Sequence, residues 1–186
     1  MTSKVLPKIL STLSHVESPA VMDLGPVVGS NISFFGEELA CRFFVEDLYA
    51  LVETHARAGT RAALSEALTA RLVREPGSID AIICWDLFDY LDKGSSKQLA
   101  TILTTVLKPG GLLYAFFGSK AETLTHYNRF IVEARDRLGM RTGPATAVPR
   151  NVLVTRDVNR MFDGLVVAES VLLKSNARET LFRKPA

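Results

Sequence analysis

Apolar and polar residues alternate along this chain in blocks that change period. Residues 4–14 place Val5, Ile9, Leu10 and Leu13 at helical spacing, with Pro7 in the first turn where proline is tolerated. Residues 20–24 form a short continuous apolar run that predicts a buried strand. Residues 31–39 return to helical spacing through Ile32, Phe34, Phe35 and Leu39, and Cys41 to Val45 is a second strand-like run closed by Glu46-Asp47. Residues 48–57 and 60–74 both predict helix, broken at Gly59. Pro76-Gly77-Ser78 marks a turn before a third strand, Ile79 to Trp85, apolar on both faces and closed by Asp86. Near-continuous apolar strands of this kind belong in a parallel sheet covered on both sides.

The second half continues the alternation. Residues 95–107 predict a helix with Leu99, Ile102, Leu103 and Val106 on one side, stopped by Lys108-Pro109-Gly110-Gly111. Leu112 to Phe117 predicts a fourth strand, and 120–138 a further helix ending near Gly139. Residues 140–154, with Gly143, Pro144 and Pro149, predict a mobile loop. Thr155 to Phe162 predicts a short helix, and Leu165 to Lys174 and Ala177 to Lys184 a hairpin across Ser175-Asn176. Alternating strands and helices followed by a terminal hairpin predict one α/β domain over residues 1–186. Its sheet is doubly wound and mostly parallel, with helices on both faces and a C-terminal antiparallel hairpin.

Composition narrows the partners. The chain is 47% hydrophobic and 23% charged, enough for a core, and its formal charge of +2 gives no basic stripe for nucleic acid. Cys41 and Cys84 sit inside apolar runs and read as buried thiols, and His15, His55 and His126 are isolated. No stretch reaches the roughly 18 apolar residues of a membrane span, and the N-terminus lacks the apolar core of a secretory signal. The expectation is a cytoplasmic protein without a membrane span. An exposed Phe-rich face would support a homodimer.

Chemistry in an open parallel sheet gathers at the carboxyl ends of the strands. Three strands end in acids here: Asp23, Glu46-Asp47 and Asp86. After the first comes Leu24-Gly25-Pro26-Val27-Val28-Gly29-Ser30-Asn31, a glycine-bearing turn into a helix. Glycine lets the backbone approach a ligand, and a carboxylate ending the second strand is placed to accept hydrogen bonds from ribose hydroxyls.

From about residue 18 onward these segments resemble the class I S-adenosylmethionine-dependent methyltransferases. Asp23 to Asn31 resembles the first motif, and Phe44-Val45-Glu46-Asp47-Leu48 the second strand with its ribose-binding acid. Ile83-Cys84-Trp85-Asp86-Leu87 resembles the fourth-strand motif, Leu107 to Leu113 the turn into the fifth strand, and Arg178 to Pro185 the last strand. The resemblance implies a seven-stranded sheet with its last strand inserted antiparallel. It also implies S-adenosylmethionine as cofactor, with Asp23, Gly25, Pro26, Gly29 and Asn31 around the methionine portion. Asp47, or its neighbour Glu46, then holds the ribose, and Trp85, Asp86 and Leu87 face the methyl-transfer centre.

Three departures stand out. Val27 replaces the middle glycine of the first motif. The family's third strand, with its adenine-contacting acid, is not visible between the second strand and Ile79, and Glu75 and Asp80 are poor substitutes. Little sequence is left over for a substrate lid. Two readings follow: a small methyltransferase of unknown small-molecule or protein acceptor, or a methyltransferase-like scaffold that has lost its cofactor. A nicotinamide dehydrogenase is the third, disfavoured by Asp23 preceding the turn and by the terminal hairpin. For three residues a plainer role stands beside the chemical one: Asp47 as a helix cap, Asp86 as a cap of the turn at Phe88-Asp89-Tyr90, and Trp85 as a pocket wall or core residue.

Overall fold

The computed structural model describes residues 1–186. Six strands form the main sheet in the order β2-β1-β3-β4-β8-β7. They are β1 (Ala20–Asp23), β2 (Arg42–Val45), β3 (Ile79–Trp85), β4 (Leu107–Gly118), β7 (Val166–Leu172) and β8 (Ala177–Arg183). The first four are mutually parallel, and β8 is antiparallel to both β4 and β7. The C-terminal hairpin thus inserts its last strand next to β4, the placement the resemblance implies. The sheet has six strands rather than seven, because no strand lies between β2 and β3.

Alternation along the strands explains the layers. Met22, Ile82 and Cys84 enter one core with Leu48, Val52, Leu68 and Leu103, from α3 (Leu48–Arg57), α4 (Leu64–Arg71) and α5 (Lys93–Val106). Val158 of α6 (Thr155–Met161) joins the same layer. Val21, Ala81, Ile83 and Trp85 enter the other core with Leu6, Ile9, Leu10 and Phe35, from α1 (Leu6–Leu13) and α2 (Gly29–Leu39). Neighbouring residues of one strand therefore serve opposite cores, which is why the runs read as continuously apolar. No helix is long and apolar enough to cross a membrane.

The turn at Lys108-Pro109-Gly110-Gly111 registers β4 against β3. Gly110 has φ +77°, and a Cβ at Gly111 would lie 2.8 Å from the Lys108 carbonyl, so both positions require glycine. Lys108 Nζ reaches Asp80 at 2.8 Å, and the same carboxylate oxygen accepts the Ala20 N–H at 2.8 Å. Asp80 therefore ties down the amino end of the sheet, opposite the end where ligands bind.

The helix expected over 120–138 and the loop expected over 140–154 are one long β-hairpin, β5 (Thr123–Ala134) and β6 (Arg137–Pro149), standing as a separate two-stranded sheet. Its pairing slips between Leu124 and His126 and again between Val132 and Ala134. The first slip puts Leu124 and Tyr127 in one core, and Phe130 enters the opposite one, so buried positions fall three apart, a spacing that imitates a helix. His126 and Tyr127 accordingly lie on a strand. The hairpin covers the sheet at the carboxyl ends of its parallel strands, supplying the lid for which the sequence showed no surplus residues.

Candidate functional site at the strand ends

The first carboxylate lies at the end of β1. Asp23 is 2% exposed, and its Oδ1 accepts the Gly25 N–H at 2.8 Å and Trp85 Nε1–H at 2.7 Å. Burial drives its carboxyl up to about 7 against the pull of those two hydrogen bonds, and the charge of Asp47 adds to the rise. Trp85 sits at φ +51°, a left-handed turn that ends β3 and throws the indole back over the first motif. A Cβ at Gly25 would lie 2.7 Å from Trp85 Cδ1, so this glycine makes room for an indole of the protein itself. The indole stacks on Phe130 (centroids 5.0 Å, planes 6° apart), and Phe130 stacks on Phe116 (5.1 Å, 14°).

The rest of the first motif is open. A Cβ at Gly29 would meet nothing within 4 Å, and Val27 stands 60% exposed instead of packing inside the loop. Pro26 is partly buried. No side chain caps the amino end of α2, and no acid lies in its first turn, so its positive dipole end faces the loop uncompensated. Asn31 turns inward. At 1% exposure it donates Nδ2–H to the Phe130 carbonyl at 3.0 Å and accepts the Val132 N–H on Oδ1 at 2.8 Å. Its amide stitches the hairpin to α2 and is spent on that contact.

At the end of β2 the two acids separate. Glu46 pairs with Arg74 and Arg71, and Arg74 also covers the Phe44 ring at 4.5 Å. Asp47 adopts φ +37° and caps α3, its Oδ1 accepting the Ala50 N–H at 3.2 Å. Its Oδ2 makes no bond within the chain.

At the end of β3, Asp86 is 6% exposed and lies at the start of a short 3-10 turn, Leu87–Tyr90, without capping it. Its oxygens instead accept Tyr49 O–H at 2.5 Å and Asn128 Nδ2–H at 2.6 Å. Burial pushes this carboxyl up as well, opposed by those hydrogen bonds and, more distantly, by Arg150. Leu87 is fully buried in the core. Asp89 accepts the Gly118 N–H on both oxygens, at 3.0 and 3.2 Å, and Arg150 Nε lies 2.9 Å away as its ion-pair partner. Burial, and next the charge of Asp86, raise Asp89 to about 7.

Asp86 and Asp89 floor a cavity of about 340 Å³ between the hairpin, the end of β4 and the β7–β8 turn, walled by Phe116, Phe130 and Asn128. The Asn128 Oδ1 is buried without a hydrogen-bond partner. Sequence reading singled out Asp86 but missed Tyr49, Asn128, Asp89 and Arg150. Asn128 carried no signal once its segment read as helix, and Arg150 fell in the expected loop. No three His, Cys, Asp or Glu side chains converge to hold a metal ion.

Tested against an S-adenosyl group, Asp47 fits its nucleoside end by keeping an acceptor oxygen. Toward the amino-acid end Gly29 leaves space and the amino end of α2 is uncapped. At the amino-acid end the indole of Trp85 narrows the approach over Gly25.

No protein-family profile and no curated protein matches the sequence. Solved structures match in fold. An S-adenosylmethionine-dependent methyltransferase from Mesorhizobium loti superposes with a TM-score of 0.60 at 13% identity, over 96% of this chain and 96% of that one. One from Clostridium acetobutylicum gives 0.53 at 12% identity, over 100% and 93%. The glycopeptide N-methyltransferase MtfA complexed with sinefungin gives 0.51 at 14%, over 100% and 95%. The chain therefore has the class I S-adenosylmethionine-dependent methyltransferase fold.

Proposed function

We propose that this chain is a small methyltransferase that binds an S-adenosyl group across the carboxyl ends of β1 and β2. The observation that carries the reading is Asp47. It ends the strand next to β1, is held in a left-handed turn, and keeps one oxygen free beside the open Pro26–Gly29 segment. In this reading Asp47 accepts the ribose hydroxyls, and backbone N–H groups at the start of α2 face the polar end of the ligand. Glu46, locked by two arginines, plays no direct part. Asn31 acts by fixing the hairpin. When bound, the group supplies a methyl already activated on a sulfonium, so the protein needs chiefly to align an acceptor and exclude water. Asp86 and Asn128 border the cavity where an acceptor would sit, and the hairpin forms one wall of it.

Calorimetric titration with S-adenosylhomocysteine and S-adenosylmethionine tests this directly. Binding is expected, and Asp47→Ala should weaken it by about tenfold, the worth of one hydrogen bond to a charged group. No heat and no thermal shift at about millimolar ligand, well above ordinary cofactor affinities, would overturn the proposal. An unchanged affinity in Asp47→Ala would reject the ribose assignment alone.

A second reading is favoured by one observation, the indole of Trp85 over Gly25. It holds that the fold persists as a scaffold without a cofactor. Trp85→Phe separates the two, since Val27 is exposed and the indole is what lies over Gly25. Binding gained only in that variant would mean the indole obstructs the wild-type loop.

A further inference from the structure

The cavity floored by Asp86 has a charge imbalance that points to a particular ligand. Asp89 has its counter-ion: Arg150 pairs with it and also with Glu122 at the rim. Asp86, equally buried, has none in contact. Its two partners, Tyr49 O–H and Asn128 Nδ2–H, are neutral. A buried carboxylate without a cation in contact is costly, and Arg150, turned to Asp89 and Glu122, acts on it only from a distance. Beside it, the Asn128 Oδ1 lacks a donor. The deficit at Asp86 is met by a nitrogen that carries hydrogens and positive charge; the Asn128 Oδ1 is itself buried and keeps the polar side of the floor free of competing donors. The walls above are apolar: Phe116, Phe130, Met140 and Leu173 line the cavity. Arg150 is engaged twice, the Met1 ammonium that also lines the cavity donates to the Leu138 carbonyl, and Lys120 is exposed, so the buried floor stays acidic and an anionic ligand is disfavoured there.

We propose that this cavity binds a small amine with an apolar body, its nitrogen donating to Asp86 while its body lies against Phe116 and Phe130. As a methyl acceptor the amine rests on the methyltransferase reading; as a bound ligand it does not. Asp86 is then a binding residue whose carboxylate lies beside the nitrogen, and Tyr49 is a positioning residue that fixes the carboxylate.

The test uses the whole chain and no S-adenosyl compound, so its failure is separate from failure of cofactor binding. Phenethylamine, 2-phenylethanol and 3-phenylpropionate are titrated in turn and followed by amide chemical shifts. The amine should bind at least about tenfold more tightly than the alcohol, the gain expected of a charge-assisted hydrogen bond, and the carboxylate more weakly than either. Shifts should centre on Gly118, Asn128 and Phe130. Asp86→Asn, which keeps shape and removes charge, should abolish the preference for amine over alcohol. Equal affinity for amine and alcohol, preference for the carboxylate, or no shift with any of the three would overturn the proposal. The wild-type series decides the matter even if the variant fails to fold.

Discussion

Asp23→Asn should make this protein more stable at alkaline pH. Asp23 is 2% exposed, and both hydrogen bonds of its carboxylate fall on Oδ1, from Gly25 and Trp85. Asparagine keeps that acceptor oxygen and removes the charge, so it imitates the protonated aspartate. The native carboxyl lies at about 7, against 3.8 as the reference for the open chain. Between those values the native state holds a proton that the unfolded state has released. Stability contributed by the protonated group is therefore complete below about pH 4 and lost as pH rises through about 7. At about 1.36 kcal/mol per unit, the full shift amounts to about 4 kcal/mol; local relaxation and water entry bring the expected effect to about 2 kcal/mol. Urea denaturation followed by circular dichroism at pH 4.5, 6, 7 and 8 reads it out. Wild type and Asp23→Asn should have similar stability at pH 4.5, with the variant pulling ahead by about 2 kcal/mol at pH 8. Asp89 contributes a slope of the same sign to both proteins, so the difference between the curves isolates Asp23. Curves that stay parallel, or a wild type that is more stable at pH 8, would refute the reasoning.

Other perturbations probe the lid and the floor. Asn31→Ala leaves the Phe130 carbonyl and the Val132 N–H buried without partners, and should cost about 2–4 kcal/mol; hydrogen exchange should quicken in 123–149 before it does in β1, β3 and β4. Gly118→Ala puts a Cβ 2.6 Å from Asp89 Oδ2 and 2.7 Å from Arg150 Nε, so denaturant titration should show a loss of about 1–3 kcal/mol from overpacking. Trp85→Phe retains an aromatic ring for the stack on Phe130 but removes the only side-chain donor to Asp23. It should destabilise by about 1–2 kcal/mol at pH 8, and calorimetry should show tighter binding of S-adenosylhomocysteine if the indole is what narrows the approach over Gly25.

The parallel part of the sheet was legible because β1, β3 and most of β4 are buried on both faces, β1, β2 and β3 end at acids, and β4 begins at a glycine turn. Apolar runs at 20–24 and Ile79–Trp85, and the Lys108-Pro109-Gly110-Gly111 turn, carry that information locally. The absence of a third strand was legible too, since 60–74 has only helical spacing. The β5–β6 hairpin was not. Its slipped register and its burial on both faces space buried residues by three, and its prolines at 144 and 149 are tolerated because each strand of a two-stranded ribbon is an edge. With the hairpin hidden, its contacts were hidden as well. Asn31 lay correctly in the first motif, but nothing in its neighbourhood says that its amide faces a strand about 100 residues later. Trp85 showed itself as a wall or core residue. That its indole fills the space over Gly25 depends on the left-handed turn at its own backbone, which no sequence pattern announces.

One wall of this cavity is a two-stranded ribbon paired with no strand of the main sheet. Pairing within residues 123–149 is local, whereas the bonds that hold the ribbon to the sheet domain, through Asn31, Glu53 and Tyr90, span from 36 to 101 residues. The ribbon enters both cores through Leu124, Tyr127, Phe130 and Val132, whereas Asn128 and Met140, which line the volume above Asp86, belong to neither. Substitutions along the inner edge of the ribbon can reshape what the cavity admits while the sheet, its turns and its glycine loop stay as they are. A change of ligand in this architecture asks for a new lining on one hairpin, not a new protein.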